Sequence, residues 1–310
     1  MVKKKVAVSI LNWNRKEMVL DCIQHIQKLD YPVQEIIVVD NASTDGSVEA
    51  VKEKFPNVNL IVNDQNYGTI EGQNICLQRA LDTDVEYIYL VDCDIIVDAA
   101  SLTELVKVAD REDQVGLVGT KMLHYHQPDT ILSAGGIIDF TQNVTRGRGV
   151  NEKDIGQYDW IEEVDHLWGG AILIKREVLE RVGLFDPGYI GYWFNDTDLC
   201  VRVKNAGYKL IFCPFAKVWH KPHATEEQFS YRKKYLATRN AVRFMKKYAT
   251  PVNWLKYTFF VFAGLPYMFI RDLILHRNCG GAVGKIHGFM AGLFNKDRTA
   301  YYLLYQKESK

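Results

Sequence analysis

The sequence lacks several patterns that would point to common protein classes. Its six cysteines are scattered and include no Cys-x-x-Cys pair, which favours buried thiols in a reduced compartment over a disulfide framework or a zinc site. It contains no internal repeat and no low-complexity segment. No Gly-x-Gly-x-x-Gly follows the first apolar segment, which argues against a dehydrogenase. That segment, Val6–Leu11, is too short for a signal-peptide core, so we expect a cytoplasmic protein.

The chain has no net charge, but its charges are unevenly distributed. Residues 1–201 contain 18 Lys/Arg and 33 Asp/Glu, whereas residues 202–310 contain 20 Lys/Arg and 5 Asp/Glu. Such a division predicts two surfaces with different partners. A chain of 310 residues can form one large domain, or one medium domain with an appendage. We expect one domain over residues 1–222 and a basic, aromatic-rich helical region over residues 223–310.

Short apolar segments alternate with segments of helical spacing over the first 95 residues. The predicted strands are Val6–Leu11, Glu35–Val39, Val58–Val62 and Tyr87–Val91, and the predicted helices are Glu17–Leu29, one that ends at Phe55, and Ile70–Leu81. This alternation is typical of βαβ units. It predicts an α/β fold in which helices flank a mostly parallel, Rossmann-like sheet.

The pattern changes after residue 115. Further strands are predicted at Val115–Thr120, Ala171–Ile174 and Tyr208–Cys213, and further helices at Arg176–Val182, Asp196–Ala206 and Glu226–Tyr248. Residues 121–165 are rich in Gly, Asp and aromatic residues. We expect loops and small antiparallel strands there.

One acidic triplet, Asp92-Cys93-Asp94, directly follows an apolar strand. Two carboxylates at this spacing can converge where a strand opens into a loop. Mg²⁺ and Mn²⁺ prefer oxygen ligands and often share them with substrate phosphates. The triplet therefore indicates a metal–diphosphate site, although an isolated acidic pair can also simply end a strand.

Polar side chains follow the other predicted parallel strands. Asn12, Asp40, Asn66 and Asp92 lie at or just beyond the carboxyl ends of the strands, where α/β sheets bind ligands. An aspartate there can accept a hydrogen bond from a base, and turn N–H groups can bind ribose or phosphate oxygens. The alternative for the segment after Asp40 is a capped helix, since Ser43, Thr44 and Asp45 are good N-cap residues.

A second acidic pair lies downstream. Either Asp196 or Asp198 could remove the proton from an attacking hydroxyl, and the other would then be a helix cap. An ordinary aspartate has a pKa near 3.9 and is ionised at neutral pH. His220 ends an apolar segment and is either a metal ligand or a structural histidine.

These motifs, taken in order, resemble family 2 glycosyltransferases, and most closely their rhamnosyltransferase-like bacterial and archaeal members. The resemblance covers roughly residues 5–222 and rests on a combination that is more specific than any single motif. The motifs are Asn12-Trp13-Asn14, Asp40 to Ser47, Asn66-Tyr67-Gly68, Asp92-Cys93-Asp94, Trp168-Gly169-Gly170-Ala171 and Asn195 to Leu199. The resemblance implies a GT-A fold, a UDP-, dTDP- or GDP-sugar donor, Mg²⁺ or Mn²⁺, and inversion at the anomeric carbon. It also implies that residues 1–222 form a nucleotide-sugar-binding and catalytic domain.

The resemblance also implies roles for individual residues. Asp40 would bind the base, Asp92 would contact the ribose or the water shell of the metal, and Asp94 would ligate the metal, joined by His220. Asp196 would be the catalytic base. Further donor contacts would come from Asn12, Asn14, Asn41, Ser43, Asn66, Gly68, Asn74 and Cys93, and acceptor contacts from Trp168, Gly169, Gly170 and Asp198. One departure is Asn195, where the family usually has Glu.

The C-terminal region combines basic charge with aromatic residues. Tyr257–Ile270 carries no charge, but its 14 residues are too few to span a bilayer and Pro266 interrupts them. We therefore expect a peripheral helix at an anionic membrane surface, on the inner face of the cell membrane. The alternative is packing against the catalytic domain. No nucleic-acid motif accompanies the basic charge, so no nucleic-acid partner is expected.

Two other functions fit parts of the pattern. A sugar nucleotidyltransferase also combines a nucleotide fold with Mg²⁺, but its Gly-rich, Lys-containing loop is missing after the first strand. A non-catalytic nucleotide-sugar-binding module would bind the donor without transfer. The leading prediction is an inverting glycosyltransferase that acts on a glycan or a lipid-linked acceptor.

Overall fold

The computed structural model describes residues 3–140, 144–191, 193–221, 231–276 and 279–294. Within these residues the strands are β1 (Val6–Asn12), β2 (Glu35–Asp40), β3 (Asn59–Val62), β4 (Tyr87–Asp92), β5 (Ile95–Val97), β6 (Val115–His124), β7 (Gln127–Ser133), β8 (Gly136–Ile138), β9 (Thr145–Gly147), β10 (Glu162–Glu163), β11 (Ala171–Lys175) and β12 (Lys209–His220). The helices are α1 (Lys16–Ile26), α2 (Ser47–Lys54), α3 (Gly68–Leu81), α4 (Ser101–Ala109), α5 (Arg176–Val182), α6 (Asn195–Asn205), α7 (Tyr231–Tyr248), α8 (Pro251–Ala263), α9 (Leu265–His276) and α10 (Gly280–Phe294).

Ten strands form one mixed sheet, in which eight follow the order β10-β12-β6-β11-β4-β1-β2-β3. The β4-β1-β2-β3 half is parallel, and β12 is also parallel to β6. The strand β11 separates these two groups and runs antiparallel to both β4 and β6. The remaining members, β5 and β7, pair with β12 and β6. The sheet therefore places the carboxyl ends of β1, β2 and β4 side by side.

Helices cover both faces of the sheet. Along β1, Val6, Val8 and Ile10 enter a cluster with α1, α2 and α4, whereas Ala7 enters a second cluster with α3, α5 and α6. This alternation follows from the two-residue repeat of a strand. Apolar side chains on both faces explain why the parallel strands appear in the sequence as continuous apolar runs.

The structure confirms the predicted strands and helices of the first 95 residues to within a few residues at their ends. It adds α4, which the sequence pattern does not predict, and it extends two strands, because β6 continues to His124 and β12 continues to His220. Small antiparallel pairings do occur between residues 121 and 165. The first five residues of the predicted helix Glu226–Tyr248 lie outside the described residues, and the rest is α7.

The chain divides into two compact units. The first comprises residues 1–137, 147–186 and 196–223, and the second comprises residues 138–146, 187–195 and 224–310. In the second unit α10 packs closely on α7, because Gly284 and Gly288 lie against the backbone carbonyls of Tyr231 and Tyr235. The domain boundary expected near residue 222 lies outside the described residues and stays a prediction.

The apolar C-terminal segment is helical over a longer range than expected. The helices α8 and α9 are separated only by Gly264, whose backbone is also helical. Pro266 is the second residue of α9, where proline fits because no hydrogen bond is required of its nitrogen. The expected interruption at Pro266 was therefore wrong. Among the described residues, Pro251–Ile274 is one helical stretch that could cross a membrane by length and composition.

Candidate active site

Three polar residues meet at the carboxyl ends of neighbouring strands in the first unit. Asn12 at the end of β1 is in register with Asp40 at the end of β2, and Leu11 is in register with Asp92 at the end of β4. This register follows from parallel pairing of three strands that end at the same edge of the sheet. The expectation that these residues share one rim is confirmed by the strand pairing.

Asp40 organises the loop that follows β2. It is buried, its Oδ2 accepts a hydrogen bond from Asn12 Nδ2 at 2.8 Å, and its Oδ1 accepts one from Ser43 N at 2.7 Å. Asn14 N donates to Ser43 Oγ at 2.8 Å, and Asn14 Oδ1 accepts from Thr44 N at 2.7 Å. These bonds join the loops after β1 and β2, so the two loops form one rigid edge.

Asn41 joins the same edge to the start of α3. Its Nδ2 donates to Gly68 O at 3.0 Å and to Asn66 Oδ1 at 3.2 Å. Asn66 Oδ1 also accepts a hydrogen bond from Gly68 N, and Gly68 has a positive φ of 84°, a conformation that suits glycine. Asn41, Asn66 and Gly68 therefore lie together, as predicted from their positions after adjacent strands.

Two buried amide oxygens at this edge have no hydrogen-bond partner among the described residues. They are Asn12 Oδ1 and Gln73 Oε1. The other end of the Gln73 amide, Nε2, donates to Asp92 Oδ1 at 3.2 Å. A buried acceptor without a donor is unfavourable by about 1–3 kcal/mol. A bound ligand that carries N–H or O–H groups would remove this cost.

Two predicted donor-binding residues direct their side chains elsewhere. Asn74 Nδ2 donates to Phe185 O at 3.0 Å and Asn74 Oδ1 accepts from Phe185 N at 2.9 Å, so both ends of its amide hold a loop. The Cys93 side chain is buried in the apolar cluster around α1, and burial raises the pKa of its thiol. Both side chains therefore stabilise the local fold.

Two cationic side chains approach Asp94. Arg15 Nη1 lies 2.7 Å from Asp94 Oδ2, and His220 Nε2 lies 3.6 Å from the same oxygen. His220 reaches this point because the end of β12 pairs with β5, and Lys221 N donates to Asp94 O at 2.8 Å. Burial opposes ionisation of Asp94, but His220 and Arg15 outweigh it and lower the pKa of this carboxyl.

Asp92 has the opposite electrostatic environment. Burial raises the pKa of Asp92, and the negative charge of Asp94 raises it further. Both effects oppose a second negative charge in a confined space. The pair therefore holds one negative charge readily and a second one only with a positive partner.

The donor set around Asp94 fits a divalent cation that also binds phosphates. Within the described ranges no group of three or more His, Cys, Asp or Glu residues is arranged to hold a metal ion. Mg²⁺, however, is often bound through only one or two carboxylates together with substrate phosphates. Asp94 with His220 supplies an oxygen and a nitrogen ligand, a combination that Mn²⁺ accepts, and Asp92 is adjacent.

Gly169 and Gly170 bring two acidic side chains close to one point of the chain. A Cβ at Gly170 would lie 3.3 Å from Asp92 Oδ2, and a Cβ at Gly169 would lie 3.3 Å from Asp196 Cβ. Gly170 O also accepts a hydrogen bond from Asp92 N at 2.8 Å. The two glycines therefore permit Asp92 and Asp196 to approach the same dipeptide from different elements.

Asp196, the second residue of α6, is surrounded by hydrogen-bond donors. Its Oδ1 accepts from Thr197 N at 2.7 Å and its Oδ2 accepts from Gly169 N at 3.3 Å, while its side chain is 24% exposed. His166 Nε2 lies 3.6 Å from Oδ2. Burial opposes ionisation, but His166 and these two N–H groups outweigh it, so the pKa of Asp196 is lowered.

The second downstream carboxylate has a different setting. The Asp198 side chain is fully buried and its Oδ2 accepts a hydrogen bond from Arg202 Nε at 2.8 Å. Arg202 in turn donates to Val182 O and Leu184 O, so the pair anchors α6 to the end of α5. Trp168, which directly precedes the two glycines, is 38% exposed.

Three residues that lie in this site have no role predicted from the sequence. They are Arg15, Gln73 and His166. Arg15 and Gln73 follow predicted strands, but their partners Asp94 and Asp92 are 79 and 19 residues away in the chain. The sequence contains no pattern that indicates a partner for His166. Their contacts depend on the fold, which brings distant segments of the chain together.

Two family models match this chain. The model of glycosyl transferase family 2 matches residues 7–183, which is more than half of the chain. A second model, the N-terminal domain of galactosyltransferase, matches residues 152–228. The N-acetylglucosaminyl-diphospho-decaprenol L-rhamnosyltransferase of Mycobacterium tuberculosis is 26% identical over 216 residues, or 61% of this chain and 67% of the relative. Other curated relatives are matched over a smaller part of their length, 24% in one case and 19% in another.

Two solved structures share the fold. The mannosyltransferase PcManGT from Pyrobaculum calidifontis, in complex with GDP-Man and Mn²⁺, has a TM-score of 0.60 at 18% identity and is aligned over 99% of this chain and 89% of that one. GalNAc-T7 with UDP, GalNAc and Mn²⁺ has a TM-score of 0.65 at 17% identity over 97% of this chain and 58% of that one. The expected GT-A fold is therefore confirmed.

Proposed function

The chain belongs to glycosyl transferase family 2, and we propose that it is an inverting, metal-dependent enzyme that transfers a sugar from a nucleoside-diphosphate sugar to a hydroxyl group. The observation that carries this proposal is the position of Gly169 and Gly170 between Asp92 and Asp196. A donor diphosphate beside Asp92 and an acceptor hydroxyl beside Asp196 would meet at this dipeptide.

The donor is proposed to lie along the edge formed by the ends of β1, β2 and β4. The unpaired Asn12 Oδ1 and Gln73 Oε1 would accept hydrogen bonds from N–H or O–H groups of a base or ribose. Asp40 stiffens this edge through Asn12 and Ser43, beside the expected base. Complexes of structural neighbours with GDP-Man, UDP and UDP-GlcNAc support this donor class.

A divalent cation would be held by Asp94 and His220, with Asp92 nearby. When bound, it supplies positive charge that stabilises the diphosphate leaving group. The Mn²⁺ in two structural neighbours supports this assignment. Arg15 Nη1 lies 2.7 Å from Asp94 Oδ2, so the positive charge of Arg15 would also stabilise the same diphosphate.

Asp196 is proposed as the general base and Asp198 as a structural residue. The acceptor oxygen forms a bond to the anomeric carbon while the bond from that carbon to the diphosphate breaks, and Asp196 receives the hydroxyl proton. A single displacement of this kind inverts the anomeric carbon. Asp196 is ionised and partly exposed, whereas Asp198 is fully buried against Arg202. Trp168 would supply an apolar face to the acceptor.

The Asp196→Asn variant tests this assignment. We expect it to lower kcat for transfer by about 10²–10⁴-fold, because a positioned base typically contributes that much. Binding of UDP, dTDP or GDP should be retained, measured as the increase in Tm with and without Mn²⁺. Turnover like that of the parent would remove Asp196 as the base. The absence of any nucleotide effect on Tm would argue against the donor site.

The acceptor is proposed to be lipid-linked and bound at an anionic membrane surface. The rhamnosyltransferase relative is named for a decaprenol-linked acceptor. In the second unit, Leu255, Phe259 and Phe262 recur at helical spacing on α8 and are 71%, 65% and 44% exposed. Exposed apolar residues of this kind, in a region with an excess of 15 positive charges over residues 202–310, suit a peripheral helix at the membrane interface.

Binding to vesicles tests the membrane proposal. The double variant Leu255→Asp, Phe259→Asp should bind anionic phosphatidylglycerol vesicles at least about tenfold more weakly than the parent, since each buried apolar side chain contributes about 1.5–3 kcal/mol. Ile155→Asp is the matched control, because Ile155 is 83% exposed in the first unit. Equal binding by all three proteins in a sedimentation assay would contradict the proposal.

A further inference from the structure

His166 is a buried histidine whose side chain has no assigned role in the proposed reaction. Its side chain is 6% exposed. Neither ring nitrogen has a hydrogen-bond partner among the residues that the structure describes. A buried polar group in this state destabilises a protein, and native structures satisfy most such groups. The exception therefore requires a reason.

The imidazole lies next to the proposed base. Nε2 of His166 lies 3.6 Å from Oδ2 of Asp196, slightly beyond a hydrogen bond. Hydrogen bonds of catalytic groups are often long in enzymes without substrate and shorten in the complex. A decrease of about half an ångström would make this contact an ordinary N–H···O bond.

The backbone around His166 is held in place by its neighbours. His166 N donates to Gly136 O at 3.1 Å, and Gly136 N donates to His166 O at 2.9 Å. Leu167 N then donates to Cys200 Sγ on α6 at 3.5 Å, and Gly169 N donates to Asp196 Oδ2. The segment 166–169 is therefore attached to the first turns of α6 at two points, which fixes the backbone that carries the imidazole next to Asp196.

We propose that His166 is a positioning residue for Asp196. The Nε2–H group of His166 donates a hydrogen bond to Asp196 Oδ2 when the sugar donor and the acceptor are bound. This proposal rests on the proposed function, because it takes Asp196 as the base. Thr197 N and the Thr197 hydroxyl donate to Oδ1 and Gly169 N donates to Oδ2, so a further bond from His166 to Oδ2 would fix the orientation of the carboxylate toward the acceptor hydroxyl. His166 then acts on the chemical step and not on donor binding.

The His166→Phe variant preserves a planar ring but removes the N–H donor. We expect kcat for transfer to fall roughly 10- to 100-fold, as is typical when a supporting hydrogen bond is lost, while the KM for the donor stays within about twofold. Its Tm should change little, because removing the unsatisfied ring nitrogens offsets the loss of a partner that stabilises the charge of Asp196. A structural role for His166 predicts the reverse, with a lower Tm and a smaller loss of activity.

Two further variants make the test specific. His166→Gln keeps an amide N–H close to the position of Nε2 and should recover most of the lost kcat. In an Asp196→Asn background, His166→Phe should cause no more than about a twofold further loss, because a positioning residue has no effect once its target is removed. His25→Gln on α1 is the matched control, since its ring is hydrogen-bonded to Asp21 O and paired with the Asp21 carboxylate, both in the same helix.

The results separate this proposal from the proposed function. A kcat for His166→Phe within about twofold of the parent, with Asp196→Asn inactive, overturns the role of His166 alone. An equal loss in the parent and in the Asp196→Asn background also overturns it, as does an equal loss for Phe and Gln. An active Asp196→Asn variant instead overturns the proposed base.

Discussion

The two acidic regions of this protein use the same side chain in opposite ways. At the end of β4, burial and the charge of Asp94 raise the pKa of Asp92. At the start of α6, His166 and two backbone N–H groups lower the pKa of Asp196 despite burial. The first region therefore favours the binding of a cation, whereas in the second region the protein itself stabilises the charge of the carboxylate. A carboxylate therefore acquires its role here from what surrounds it.

The difference matches the tasks proposed for the two regions. A metal–diphosphate site gains from carboxylates that are not fully neutralised by the protein, because the ligand then supplies the missing charge. A general base must be ionised before the acceptor arrives, and its low pKa makes it available over a wide pH range at some cost in proton affinity. The two regions meet at Gly169-Gly170, which lets each be altered separately.

Alanine at either glycine should disturb one region more than the other. A Cβ at Gly169 would press on Asp196 and one at Gly170 would press on Asp92 and Met122. We expect Gly169→Ala to lower kcat by roughly tenfold or more, because small displacements of catalytic groups are costly. Gly170→Ala should mainly raise the KM for the donor, by a similar factor. Steady-state kinetics with varied donor concentration measures both.

A suitable control for the glycine pair is Gly183→Ala. This glycine ends α5, and a Cβ added to it would have no other atom within 4 Å, but its φ is positive at 78°, so the substitution strains the backbone away from the site. We expect lower stability with unchanged kcat and KM. The prediction would be contradicted if Gly169→Ala and Gly170→Ala had the same effects on kcat and on the KM for the donor. The two acidic regions could then not be altered separately.

The sequence predicted most of the fold because its strands are short apolar runs between helical segments. The parallel strands β1, β2, β3 and β4 and the residues at their ends follow from this pattern. The antiparallel direction of β11 does not, because an apolar strand such as Ala171–Lys175 has the same pattern in either direction. The helix α4 was missed although its apolar face is buried.

The site was predictable only in part, for a physical reason. Residues such as Asn12 and Asp92 could be found because each follows a strand and their strands are neighbours. The contacts of Arg15 with Asp94 and of His166 with Asp196 join segments that are 79 and 30 residues apart, and no local pattern encodes them. The role of Asn74 differs in the same way, because its partner Phe185 is 111 residues away.

The opposite pKa shifts also predict opposite effects on stability. The raised pKa of Asp92 means that the folded protein keeps a proton that the unfolded chain has released, so stability falls as pH rises above about 3.9. The lowered pKa of Asp196 means that its charge contributes stability above about pH 4, which is lost only as pH falls through the folded pKa. Removing the two charges at neutral pH should therefore have opposite results.

We expect Asp92→Asn to raise Tm and Asp196→Asn to lower it in metal-free protein at pH 8. Each change should be on the order of 1 kcal/mol, or about 2–4 °C in Tm for a domain of this size. The amide oxygen introduced by Asp92→Asn can still accept the hydrogen bond from Gln73, so the comparison mainly removes charge. At pH 5 the gain for Asp92→Asn should shrink, because the parent Asp92 is then more protonated, whereas the loss for Asp196→Asn should remain. Calorimetry in EDTA measures the change in Tm for the two variants at the two pH values. A change of Tm in the same direction for both variants at pH 8 would contradict the difference between the two carboxylates.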